Sequence, residues 1–203
     1  MAKSRLLEGW PLLGLLSLLL LAVSGVCLTS QAYDVAGVRT VIRMTARTSL
    51  VLFALAFSAQ AVLTLWPSAL TRWQRRNRRQ LGLAFAVSHT IHAAAIVAFG
   101  RMDPQGFQAH AMTGTLVSGG LAYVFIVAMA ATSFDRTAAW IGPNAWRTLH
   151  WLGGYYLWVS FIVTNGKRIG QGPLYAVPVL LMLFLMLLRI AARRRARLLS
   201  TAA

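Results

Sequence analysis

Six stretches of the chain carry no charged residue: 10–28, 48–65, 81–99, 112–131, 149–164 and 173–188. Polar and basic residues gather in the short segments between them. A helix needs about 20 residues, within a range of roughly 17–25, to cross the hydrocarbon core of a bilayer. The first four stretches meet that length, and the last two, at 16 residues each, reach it by extension. The fifth lengthens back to Trp146, because Arg147 can snorkel to the interface, and the sixth lengthens to Arg189 in the same way. Pro178 lies inside the sixth, where a kink is expected. None of the stretches alternates with the period of a strand. In lipid every backbone polar group must be satisfied internally. The pattern therefore predicts an all-α integral membrane protein, a single six-helix bundle over residues 1–203. Its expected spans are 10–28, 48–65, 81–99, 112–131, 146–164 and 173–189, with a basic tail at 193–203.

Composition supports that reading. Of the 203 residues 58% are hydrophobic and 12% charged, against about a quarter charged in soluble domains. Too little polar surface remains to wrap a soluble globule, and the apolar content excludes a disordered chain. The single cysteine, Cys27, excludes an internal disulfide framework and a Cys-rich cluster. It reads as a small residue within an apolar run. The first run follows Lys3 and Arg5 but is too long for a signal-peptide core, so a retained first helix is expected.

The 20 Lys and Arg residues face only four Asp and Glu. In a soluble protein that excess would suggest nucleic acid. Here the basic residues sit between apolar runs, which is the pattern of membrane topology and anionic lipid. With the N-terminus in the cytoplasm, fourteen of the twenty fall inside, Arg72, Arg75, Arg76, Arg78 and Arg79 among them. Arg39, Arg43, Arg47, Arg101, Lys167 and Arg168 fall outside. The positive-inside rule then places both termini in the cytoplasm.

Polar residues within spans are costly and so point to function. The third span holds His89 and His92, three apart on adjoining parts of one helix face. The fifth opens on Trp146, Arg147 and His150. His110 precedes the fourth span. Neutral imidazoles in a helical bundle can ligate haem iron, relay protons or bond across helices. Small residues follow two of them: Ala93, Ala94 and Ala95 after His92, Gly153 and Gly154 after His150. They admit a flat porphyrin or close helix packing. An HxxH pair can also take zinc, but none of the four carboxylates (Glu8, Asp34, Asp103 and Asp135) lies within a span to support such a site. Arg147 and Arg47 are candidate partners for haem propionates. The arginine cluster reads as topology and lipid contact, or as a docking surface for an acidic reductase or a flavin phosphate. Depth along the helices, at 1.5 Å per residue, matches His89 to His150 better than His92.

The segments RRNRRQLGL and SHTIHAA, the span ending in ATSFDR, and WRTLHWLGGYY together resemble the ferric-reductase-like transmembrane domain family. Within it they are most similar to haem b membrane subunits that serve a periplasmic methionine sulfoxide reductase. The likeness covers about residues 40 to 190. It implies His92 and His150 as haem ligands, with His89 an addition. Where the family carries a second histidine on the fifth helix, this chain has Val163 or Thr164. The resemblance implies one haem b, or two, in a multi-pass protein of a bacterial-type cytoplasmic membrane. FMN or a quinone is a further candidate cofactor, and a periplasmic or cytoplasmic redox protein a candidate partner.

No glycine-rich nucleotide fingerprint is present. The expectation is thus an electron-transfer subunit of an oxidoreductase rather than a complete enzyme. Its iron ligands would come from His89, His92 and His150, with His110 in reserve for an outer haem. The alternative is a haem-free six-helix protein, a small transporter or assembly factor, with packing or proton-relay histidines.

Overall fold

The computed structural model describes residues 6–110 and 113–201, with His110 and Thr201 described along the backbone alone. All regular structure among the described residues is helical. Its helices are α1 (Gly9–Thr29), α2 (Val35–Leu65), α3 (Ala69–Arg76), α4 (Arg78–Met102), α5 (Pro104–His110), α6 (Thr113–Ala131), α7 (Asp135–Gly166) and α8 (Ala176–Thr201). Two 3-10 turns, Ile169–Gln171 and Pro173–Tyr175, connect α7 to α8.

Among the described residues five segments are long and apolar enough to cross a membrane: Gly9–Thr29, Val35–Leu65, Arg78–Met102, Thr113–Ala131 and Pro173–Ser200. Their outward apolar side chains, such as Leu18, Val117, Val127 and Leu187, are exposed. Such a surface suits a lipid bilayer. The expected span 146–164 lies within α7. It has the length but not the apolarity, because His150, Gly153, Gly154, Tyr155 and Tyr156 dilute it.

Three boundaries differ from the sequence expectation. Helix α2 begins at Val35, well before residue 48, so Arg39, Arg43 and Arg47 stand on a helix rather than in a loop. The Asp34 carboxylate starts it by accepting from the Gly37 N–H at 2.8 Å. The basic segment after α2 folds as α3, opened by a reciprocal Ser68–Thr71 capping box. Helix α7 begins at Asp135 and breaks at Gly142, whose φ of 78° a side chain would resist, just before Pro143. Pro178 sits in the first turn of α8, where its missing N–H would have no helical partner anyway.

Between helices in lipid, association rests on close packing and hydrogen bonds rather than on hydrophobic transfer. Both are concentrated where α2 meets α4. Ser49 donates to the Ser88 hydroxyl at 2.9 Å, Ser88 donates to the Thr45 carbonyl at 3.2 Å, and Thr48 lies 2.9 Å from Ser88. Thr45, Ser49 and Ser88 are fully buried. Helix α1 packs on α2 and α4, and α8 on α2 and α7. Helices α6 and α7 run antiparallel, tied by Trp146 Nε1 to the Thr132 carbonyl (2.9 Å) and by the Tyr156 hydroxyl to the Ser118 carbonyl (2.8 Å). They approach closely at Gly153, where a Cβ would stand 2.8 Å from the Met129 sulfur. The core that results joins Phe53, Phe57, Leu81, Phe85, Ile126 and Leu157.

Most arginines lie at the bundle end that holds the start of α1, here termed the basic end. Helix α3 is anchored there. Trp73 Nε1 donates to the Leu7 carbonyl at 2.7 Å, the Gly9 N–H donates to Asn77 Oδ1 at 2.8 Å, and Gln74 donates to the Leu55 carbonyl at 2.8 Å. These bonds bury Gln74 and Asn77 and leave Arg75, Arg76, Arg78 and Arg79 around an opening at this end.

Candidate functional site

A cavity of about 320 Å³ opens at the basic end between α2, α4, α6, α7 and α8. Helical spacing builds it. Arg78, Gly82 and Ala86 recur at four-residue steps on α4, and Trp146, His150 and Gly154 do the same on α7. A Cβ placed on Gly82 or Gly154 would meet no atom within 4 Å, so both glycines leave free space. Phe53, Phe57, Phe85, Trp151 and Tyr155 add flat aromatic walls. Arg75, Arg76, Arg79 and Arg189 complete the lining with Arg78.

His150 is the imidazole of this cavity. Its ring stacks on Trp146 with centroids 4.3 Å apart and an interplanar angle of 27°. Its Nε2 lies 3.3 Å from the Thr132 hydroxyl, which donates its own proton to the Ala128 carbonyl at 2.7 Å. The hydroxyl oxygen is thus left to accept from the ring.

His89 and His92 occupy a different place. Their ring centroids are 5.5 Å apart. His92 Nδ1 lies 3.1 Å from the Ile42 carbonyl and 2.9 Å from the Thr45 hydroxyl, which itself donates to the Val41 carbonyl at 2.7 Å. Both neighbours can only accept there, so Nδ1 carries the proton and Nε2 the lone pair. His89 lies among Phe85, Tyr123 and Phe161, with centroids 4.7, 5.7 and 6.3 Å away, and its Nδ1 is buried without a hydrogen-bond partner.

The structure brings His89 to His92 but brings neither to His150. Phe161, which meets His89, is eleven residues beyond His150 on α7, about 16 Å along the helix axis. Helix α4 and the part of α7 beyond Gly142 both start three residues before the boundaries from which the histidine depths were counted, at Arg78 and Pro143, so the difference in depth between His89 and His150 stays at about 6 Å. On α7 the pair is met by the Phe161 ring, through His89.

The expected propionate partners also stand elsewhere. Arg147 is exposed, bonded to its own helix through the Pro143 carbonyl (3.2 Å) and Asn144 Oδ1 (2.5 Å). Arg47 is exposed on α2. The side chain of His110 lies outside the described residues. The residue missed by sequence reasoning is Arg189, taken there as a snorkelling anchor. It turns inward, donating to the Phe57 carbonyl at 2.7 Å with its guanidinium carbon 4.1 Å above the Phe57 ring. A guanidinium at the end of the apolar run of α8, with aromatic residues on other helices to stack against, was the available signal.

Among the described residues no group of three or more His, Cys, Asp or Glu side chains is placed to hold a metal ion. Comparison with known proteins returns no match to a protein family, to a curated protein or to a solved structure.

Proposed function

We propose that the chain is a b-type haem-binding subunit of a membrane oxidoreductase. It would pass electrons across the cytoplasmic membrane from a quinone, flavin or reductase donor to an external acceptor or partner protein. The observation that carries this reading is the cavity at the basic end, which combines an imidazole, flat apolar walls and unspent positive charge.

A haem b asks for those three things: an axial nitrogen, a slot for a planar macrocycle, and cations for two propionates. His150, the gap at Gly82 and Gly154, and Arg78 with Arg189 fit them. The fit extends to one haem with one protein imidazole, because His150 is the one histidine among the residues that line the cavity. A paired-histidine haem, and with it the two-haem arrangement, finds no support in this arrangement. When bound, haem supplies reversible one-electron storage. The chain's own part is to orient and release the imidazole. Trp146 holds the ring plane, and the long 3.3 Å contact to Thr132 is easily given up.

In this reading residues 143–166 of α7 form the fifth of six spans. Its polar side chains turn toward α6, α8 and the cavity, and such shelter lets a helix of low apolarity cross a bilayer. The basic end is then cytoplasmic and both termini lie inside. A reporter fused near Asp103 should read outside and one at Ala203 inside.

The haem-free alternative is favoured by a separate observation. His92 is held by the Ile42 carbonyl and Thr45, as a helix-packing histidine would be. One experiment decides between the two. Protein produced with ample haem should show a Soret band and a dithionite-reduced minus oxidised spectrum of about one haem per chain. Colourless protein would overturn the haem reading.

A further inference from the structure

The five arginines around the cavity divide into two kinds. Arg76 pairs with Glu8 and Arg79 with Asp135, each at 2.7 Å. The other three meet only neutral oxygens. Arg75 donates to Gln60 Oε1 at 2.7 Å, Arg78 to the Ala56 carbonyl at 3.2 Å, and Arg189 to the Phe57 carbonyl at 2.7 Å. No carboxylate lines the cavity. Cations gathered at one opening without a counter-ion repel one another, a cost that a bound anion removes. Arg189 is the sharpest case. Its guanidinium lies over Phe57 at 4.1 Å and near Tyr155 at 5.6 Å, and its Nε is buried with no partner. A buried donor left unpaired in a cavity wall is what a missing acceptor leaves behind.

We infer that Arg75, Arg78 and Arg189 form a clamp for the anionic head, phosphate or carboxylate, of an amphiphile whose apolar body lies between the aromatic walls. Guanidinium forks match both oxyanions in a bidentate way. The gap at Gly82 and Gly154 receives the body, and the mouth at the basic end leaves the head beside the headgroup region. Two sources carry this chemistry: the phosphate of a membrane lipid and the propionates of a porphyrin. The clamp needs no iron and no axial ligand, so it stands or falls apart from the haem reading.

The test uses the full chain in nanodiscs, wild type against Arg189→Gln and Arg78→Gln, with folding checked by size exclusion. Metal-free protoporphyrin IX and its dimethyl ester are titrated by fluorescence in discs of neutral lipid. Phosphatidylglycerol kept by the protein is counted by native mass spectrometry in mixed discs. A clamp for propionates predicts acid binding weaker by about tenfold or more in each variant, with ester binding unchanged. A clamp for lipid phosphate predicts phosphatidylglycerol held by the wild type and lost from both variants. Either result supports the clamp and names its source. Equal behaviour of wild type and variants with both probes, or no binding of either probe to the wild type, overturns it. If Arg189→Gln does not fold, Arg78→Gln carries the same comparison alone.

Discussion

The basic-end cavity and the α2–α4 seam both place histidine within apolar helices, yet they are built on opposite plans. In the seam every hydroxyl has a partner, and the His92 Nδ1 proton is spent on Ile42 and Thr45. In the cavity space is kept open by glycines, three arginines lack counter-ions, and His150 has one long bond. A satisfied polar network stabilises a fold, while an unsatisfied one beside open volume invites a ligand. The contrast explains why counting histidines in a span does not locate a site. What their neighbours leave undone does.

The comparison can be broken most sharply at the histidines themselves. His150→Ala should abolish haem absorbance, whereas His92→Ala should keep it and lose stability instead. A His150→Ala protein with full haem content would sink the cavity as the haem site. Two adjacent glycines give the next test. Gly154→Leu should fold normally and lose ligand, because its side chain enters open space. Gly153→Leu should cost about 1–3 kcal/mol in unfolding, because it drives into Met129 and Phe125. Equal effects of the two on unfolding and on ligand binding would erase the distinction between cavity and packing contact. Asp34→Ala removes the cap of α2 and should cost about 1 kcal/mol without touching colour. Smallest is Ser88→Ala in the seam, at about 0.6 kcal/mol per interhelical bond lost, read from unfolding in mixed micelles.

The ends of α1 and α6, and the apolar part of α4, were legible because charge or a turn bounds them. The start of α2 was not. Arg39, Arg43 and Arg47 read as a loop by composition, but their four-residue spacing sets them on one helix face, leaving Val38, Val41 and Thr45 for the interior. The break in α7 was written in Gly142-Pro143, a pair that punctuates helices, although the charge-free pattern ran on beyond it. For the site, sequence singled out His150 and the arginine cluster of residues 72–79. It missed the inward turn of Arg189, because only packing against Phe57 separates a cavity arginine from an interfacial one. Which residue of α7 faces His89 was not legible either, because only a cross-helix contact such as that with Phe161 shows it.

Helix α2 has 31 residues, so it measures about 46 Å against a hydrocarbon thickness of about 30 Å. Straight and upright, it overreaches the membrane by about half again. Its Asp34 end carries Arg39, Arg43 and Arg47, and near its other end Arg189 and Arg195 bond to the carbonyls of Phe57 and Leu65. A rod pinned by cations toward both ends cannot slide through a bilayer without dragging charge into oil. Helix α2 thus acts as the keel of the bundle. In a bilayer it would set the height at which the helices packed on it ride, and with them the height of the cavity.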